Sequence, residues 1–297
     1  MDSDGVRDSR VQLPIQVRKL TPGCFMENLS AHLESNARRS LDDAWPERRS
    51  FRREPASAEF HIVRPLVVPP LARDQHKAAK GGFFAGLRSE DRTDFESQSI
   101  AREFGAGCSL RDASGQGEYM HLVTSGVVCL YRTLSDGRRL VADFALPGDF
   151  VELRVNREID EFADAMRAVE TRRMSRDVFQ RFAQARPGLR HSFRAEADRK
   201  RAEALDRMML LARFNAREKI AAFIVHMQDS WQRVIGPSAY VALPMNRQDI
   251  GDFVGLSLET ASRMFATFAR EKLVVLAPGG LRMLDAARLR SIGRARG

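Results

Sequence analysis

The chain has 297 residues, 43% of them apolar, and a formal net charge of +9, enough for two domains with ordinary cores plus further material. No apolar run approaches the ~18 residues of a membrane span. The opening Met1-Asp-Ser-Asp-Gly5 lacks the basic and apolar regions of a secretory leader, so a cytoplasmic protein with no membrane partner is expected.

The first stretch, 1–80, shows little periodicity, scattered prolines and Arg pairs, with 14 basic against 11 acidic residues. It reads as a weakly ordered extension with a short helix near 25–33. From Gly82 the character changes. A polar helix over 89–100 is followed by short strand-like runs at 119–124, 127–134 and 138–146, separated by Ser125-Gly126, Ser135-Asp136-Gly137 and Pro147-Gly148-Asp149. Short strands at even spacing predict an antiparallel barrel or jelly roll, and Asp136-Gly137 is a hairpin signal.

After Pro187 the period becomes helical. Phe193, Ala197, Ala204, Met208 and Leu211 fall near one stripe, with charged residues between them. A long solvated helix with a narrow apolar seam calls for a partner helix, and a second copy of the chain is the simplest. Phe214-Asn215 breaks this helix. Asn215 and Glu218 have capping-box spacing for a new helix from Ala216 to about Trp231.

The last 86 residues hold 13 Lys/Arg against 7 Asp/Glu, so +6 of the total +9. That favours an anionic partner such as nucleic acid. Within them Asn246 and Asp249 begin a helix through Ile250, Phe253 and Val254. The turn Gly255-Leu256-Ser257 follows, and Ser257 caps a second helix over 258–272. This is a helix-turn-helix pattern. Ala261, Met264, Phe265 and Phe268 make its core face, while Glu259, Ser262, Arg263 and Ala266 lie on another. Arg263 can donate two hydrogen bonds to guanine, Glu259 can accept from cytosine N4, and Ser262 can hydrogen-bond or touch a thymine methyl. An ordinary amphipathic helix with a Glu259–Arg263 ion pair fits the same spacing. Runs 273–276 and 281–284 around Pro278-Gly279-Gly280 predict a hairpin, which makes the unit a winged helix.

Asn246-Arg-Gln-Asp-Ile-Gly-Asp-Phe-Val-Gly-Leu-Ser-Leu-Glu-Thr-Ala-Ser-Arg263 resembles the DNA-binding signature of the CRP/FNR superfamily. The stretch from Ser125-Gly126 to Pro147-Gly-Asp149 resembles that superfamily's β-roll. The resemblance covers roughly residues 82–290 and implies an α+β fold: an N-terminal β-roll of the cyclic-nucleotide-binding type, a long dimerisation helix and a C-terminal winged helix-turn-helix. Expected boundaries are 1–80, 81–186, 187–213 and 214–297. Glu259-x-x-Ser262-Arg263 is similar to the FNR/FixK type, which reads TTGA half-sites in a palindrome with TCAA. The resemblance implies that Arg247, Ser257 and Thr260 join Glu259, Ser262 and Arg263 at double-stranded DNA. It also implies a homodimer, with loops near 135–139 touching RNA polymerase.

A cyclic phosphate needs an Arg and hydroxyl donors in a loop after the Pro-Gly-Asp turn. At the matching place the chain has Asp160-Glu-Phe-Ala-Asp-Ala165, so cyclic-AMP binding is not expected. An oxygen-sensing iron–sulfur cluster needs four thiolates. Cys24, Cys108 and Cys129 are scattered, and the resemblance puts the family's fourth ligand position near Arg172-Arg173. No cofactor is expected; haem, through His121 or His191, or another small effector stays open. Cys108 and Cys129 are candidate redox thiols, with buried, inert thiols as the alternative. Enzyme signatures are missing: there is no P-loop, Rossmann glycine fingerprint, nucleophile elbow or H-E-x-x-H. A signalling module whose winged helix contacts protein instead of DNA stays open beside the DNA-binding regulator.

Overall fold

The computed structural model describes residue 83 and residues 88–111, 118–153 and 161–294. The expected extension over 1–80, its short helix and Cys24 lie outside the described residues. No helix among the described residues is long and apolar enough to cross a membrane.

Helix α1 (Ser89–Gln98) leads into seven strands: β1 (Ile100–Phe104), β2 (Tyr119–Ser125), β3 (Val128–Thr133), β4 (Arg139–Ala145), β5 (Phe150–Leu153), β6 (Glu161–Ala165) and β7 (Val169–Ser175). Turn chemistry separates them. Asp136 accepts the Arg138 backbone N–H at 3.0 Å in the β3–β4 hairpin, and Asp149 accepts the Leu146 N–H at 3.0 Å in the Pro147-Gly148-Asp149 turn. All ladders are antiparallel, in a four-stranded sheet β1-β7-β2-β5 and a three-stranded sheet β4-β3-β6. The sheets share a core of Val123, Val128, Val151, Ala163, Ala165 and Val169. Because side chains alternate along a strand, Met120 and Leu122 of β2 face the other way and pack with Phe95, Phe179, Phe182 and Leu189.

The expectation of a loop at 160–165 is corrected here. Glu161–Ala165 is strand β6, paired with β3 from Val128↔Ala165 to Arg132↔Glu161. Its buried positions are Ala163 and Ala165. Two alanines carry too little apolar weight to mark an alternation beside Glu161 and Asp164, so the run reads as polar loop.

After β7, helix α2 (Arg176–Gln184) is capped by Ser175, and Pro187 opens the 27-residue helix α3 (Pro187–Arg213). The expected stripe on α3 divides. Phe193 packs against Phe179 and Phe150, with ring centroids 5.0 and 5.5 Å apart. Leu211 joins the C-terminal core, whereas Ala197, Ala204 and Met208 stay exposed. A helix this long meets different partners along its length, so one apolar stripe serves two ends and a bare middle.

Partly buried charges fasten α3 to the β-roll. Lys200 donates to Asp143 at 2.7 Å and to Asp149 at 2.9 Å. Arg199 donates to Asp149 at 2.9 Å and to Glu203 at 2.6 Å, and it also pairs with Glu196. Burial works against the Lys200 charge, but the two aspartates outweigh it and raise its pKa. The Pro-Gly-Asp turn is therefore an anchor for the long helix.

The C-terminal part comprises α4 (Ala216–Ile235), β8 (Tyr240–Ala242), α5 (Arg247–Val254), α6 (Leu258–Arg270), β9 (Val274–Ala277), β10 (Gly280–Met283) and α7 (Ala286–Gly293). The Asn215/Glu218 capping box starts α4, which runs one turn further than its sequence pattern suggests. The wing is three-stranded, in order β8-β10-β9; the short strand β8 adds to the expected hairpin. One core joins this part to the β-roll: Phe223, Phe253, Phe265, Phe268, Trp231 and Leu281 belong to the same cluster as Cys129, Val141 and Phe144.

Candidate nucleic-acid interface

Local rules build the helix pair. The Asn246 side chain accepts the Asp249 N–H at 2.8 Å, and the Asp249 carboxylate accepts the Asn246 N–H at 3.1 Å. This reciprocal cap starts α5. Gly255 ends it at φ +66, a left-handed conformation that favours glycine. Gly251 supplies clearance: a Cβ there would lie 2.6 Å from the Leu256 carbonyl oxygen. Ser257 then accepts the Thr260 N–H at 3.2 Å and starts α6. The turn is short because both helix ends close their own backbone groups within it.

Helix α6 buries Ala261, Phe265 and Phe268, with Met264 half-buried against the same core. Glu259, Arg263, Ala266 and Arg270 are exposed along one edge. Thr260 and Ser262 are half-buried beside that edge, and Ser257 is exposed at its start. Arg263 leans on the Thr260 hydroxyl at 3.5 Å, and no Glu259–Arg263 ion pair forms. The alternative that explains these two charges as partners of each other is thus not realised. The Glu259 carboxyl is held below its usual range by its own backbone N–H and the Ser257 hydroxyl. As a carboxylate it offers acceptors and no donor. Polar groups on the first turns of such a helix are the ones that reach base edges in a major groove.

The structure thus gathers Ser257, Glu259, Thr260, Ser262 and Arg263 on the first two turns of α6. Arg247 is placed differently. It lies on α5 with its guanidinium 3.5 Å above the Phe265 ring, half-buried, and burial lowers its pKa. Its first task is to clip α5 onto α6 by a cation–π contact worth about 1–2 kcal/mol.

The sensor-side candidates are dispersed. Cys129 is fully buried, and its thiol is pushed up to about 12, chiefly by burial. It carries almost no thiolate at neutral pH, which is what an inert thiol requires. Cys108 is half-buried near Gly105. His121 is buried and within 3.2 Å of the Thr171 hydroxyl, whereas His191 is exposed on α3. Glu161 accepts from Arg132 at 3.1 Å, and Phe162 stacks on Tyr131 with centroids 5.1 Å apart. Among the described residues, no group of three or more His, Cys, Asp or Glu side chains is arranged to hold a metal ion.

Sequence reading placed Arg139 only at the end of the 135–139 loop; it missed that the guanidinium reaches across to Asp249 at 2.5 Å. The two lie 110 residues apart in the chain, and no periodicity reports a contact of that range.

Comparison with known proteins bears on this geometry. Residues 218–292 match the Crp-like helix-turn-helix domain family, and residues 101–186 the cyclic nucleotide-binding domain family. The chain is 36% identical over 237 residues to the transcriptional activatory protein AadR of Rhodopseudomonas palustris, covering 79% of this chain and 99% of that one. It is 35% identical over 211 residues to the nitrogen fixation regulation protein FixK of Bradyrhizobium diazoefficiens, covering 71% and 89%. The structure of FixK2 from Bradyrhizobium japonicum superposes with a TM-score of 0.58 at 26% identity, covering 67% of this chain and 99% of that chain. The chain therefore belongs to the CRP/FNR family, on its FixK-like side, and is a DNA-binding transcription regulator and not an enzyme.

Proposed function

We propose that this regulator works as a homodimer joined along α3, whose two α6 helices read a TTGA-N-TCAA-like palindrome. Arg263, Glu259 and Ser262 meet base edges. Ser257 and Thr260 lie toward the phosphates, and Arg247 supports the helix pair. The observation that carries this reading is the bare face of α3. Ala197, Ala204, Leu205, Met208 and Ala212 follow one helical stripe and are exposed, with Leu205 at 51% and Met208 at 65%. Apolar side chains in a row of that length are covered when a second α3 lies against them. A two-fold pair of readers then matches half-sites about 34–36 Å apart.

In this reading the protein needs neither cyclic AMP nor an iron–sulfur cluster, and its activity follows its own abundance. The sequence supports this: no Arg-Ser pair stands in residues 160–165, most of which is strand β6 and not a phosphate loop, and three cysteines are too few for a four-thiolate cluster. RNA polymerase is the second macromolecular partner, and the cytoplasm the place of action.

Selection of bound sites from random duplex DNA, with and without reductant, tests the reading together with sedimentation of the free and DNA-bound protein. The expected result is a reductant-independent TTGA-type palindrome bound by two chains. A monomer on DNA, an asymmetric site or a saturable thermal shift with cyclic AMP would overturn the corresponding part.

A further inference from the structure

The β3–β4 hairpin ends in two neighbouring arginines that behave oppositely. Arg138 lies in solvent and donates to Asp136 at 2.7 Å. Arg139 turns inward. Its guanidinium lies 4.0 Å above the Tyr131 ring and donates to the Cys129 sulfur at 3.2 Å. It also donates to Asp249 at 2.5 Å and stands 3.8 Å from Asp252. Asp249 is buried, and its second oxygen closes the α5 cap through the Asn246 N–H. One carboxylate therefore serves both the start of the helix-turn-helix and the β-roll. Burial works against the Arg139 charge, but Asp249, through its hydrogen bond and its charge, opposes it.

On the far side, Tyr131 is held in turn by β6. Its hydroxyl donates to Asp164 at 2.7 Å, and its ring is stacked on Phe162. A continuous set of contacts thus runs from β6 through Tyr131 and Arg139 to the first turn of α5. The apolar core crosses the same junction, but apolar contacts have little directional preference. A planar guanidinium fixed by a ring on one face and a carboxylate at its edge does have a preferred direction.

We infer that Arg139 is a positioning residue for the DNA reader: it clamps the start of α5 to the β3–β4 hairpin, so that α6 presents its reading edge at a fixed angle to the β-roll and α3. The inference rests on the dimer-and-palindrome reading above. Its consequence is specific to paired half-sites. If the reader swings, one α6 can still engage one half-site. The second then binds at lower effective concentration, because its orientation must be ordered at that moment. A merely local loss of helix capping would weaken both kinds of site alike.

The test measures full-length protein binding to two labelled duplexes, one with the selected palindrome and one with a single half-site. The variants are Arg139→Ala, Arg139→Lys, Asp249→Asn and the double variant Arg139→Ala/Asp249→Asn. Asn at 249 keeps an oxygen for the Asn246 N–H while losing the charge that holds Arg139. Arg139→Ala is expected to bind the palindrome ~tenfold more weakly and the half-site within about twofold of the parent. Asp249→Asn should match it, the double variant should lose no more than either single change, and Arg139→Lys should fall between. If the parent protein binds both duplexes equally, the dimer reading fails, whatever Arg139 does. If the parent prefers the palindrome but Arg139→Ala binds it unchanged, more tightly, or with equal loss on both duplexes, the positioning role is overturned. Should Arg139→Ala not fold, Arg139→Lys and Asp249→Asn carry the same comparison with the same outcomes.

Discussion

The reading edge of α6 and the junction beneath α5 are built on opposite principles. At the edge, each side chain is placed by neighbours a few residues away: Ser257 caps Thr260, Arg263 leans on Thr260, and Glu259 is left exposed. At the junction, groups come together from distant parts of the chain. Arg139 meets Asp249, Lys200 meets Asp143, and Phe144 lies 5.3 Å from Phe253. The edge spends its charges on solvent, where a ligand can claim them. The junction spends them on each other, where they fix orientation. Changes at the edge should therefore alter base recognition and spare stability, and changes at the junction should alter stability or the pairing of half-sites and spare base preference.

The largest expected effect tests the junction. Phe144 is buried among Phe223 and Phe253, and Phe144→Ala should cost about 3–5 kcal/mol of unfolding free energy. Denaturant titration measures this, and the base preference of the folded fraction should be unchanged. A shift in selected sequence would break the comparison. Next comes Arg263→Ala. One bidentate contact in each half-site is worth about 1–3 kcal/mol, so affinity for the palindrome should fall on the order of a hundredfold. The thermal midpoint should hardly move, because the side chain is exposed. A large loss of stability would mean that the edge is structural after all.

The smallest effect sharpens the junction side and concerns pH. His226, on α4, stacks against Phe253 with ring centroids 6.1 Å apart. Burial lowers its pKa below 6.5, and Lys200 and Arg233 push the same way, while Asp143 and Glu203 oppose them. A depressed folded-state pKa means that the unfolded chain binds the proton more readily. The stabilisation is complete above the unfolded value of about 6.5 and is lost as pH falls through the lower folded value. Thermal midpoints taken between pH 8 and 5 should therefore decline on acidification, and His226→Asn should flatten that decline. A parallel decline in the variant would assign it to other groups, but not to Asp143: Lys200 lowers its pKa against the effect of burial, so its contribution is lost only below its unfolded value of about 3.8.

Several elements were legible because their signals are short-range. The capping pairs Asn215/Glu218 and Asn246/Asp249, Ser257 at the start of α6 and Gly255 in the turn need only three or four neighbouring residues. The strands β2, β3 and β4 were legible through their turn residues. Strand β6 was not, because its inward side chains are alanines and its neighbours include Glu161 and Asp164. Strand β8, with three residues, is too short to show a period. Among the site residues, the exposed set on α6 followed from helical spacing, whereas the stacking of Arg247 on Phe265 required the angle between two helices.

Sequence alone thus determined the order β-roll, long helix, winged helix, and the residues that face outward from α6. Those follow from periodicity and capping, which act within a turn or two of backbone. Only the tertiary structure decided where α3 is bare, that Asp149 anchors it, that Cys129 is sealed in the core, and that Arg139 leaves its hairpin to hold Asp249. Each of these depends on which surfaces meet after the chain has folded back on itself. Burial, opposed charges and ring stacking select that meeting, and they act between residues that local pattern cannot relate.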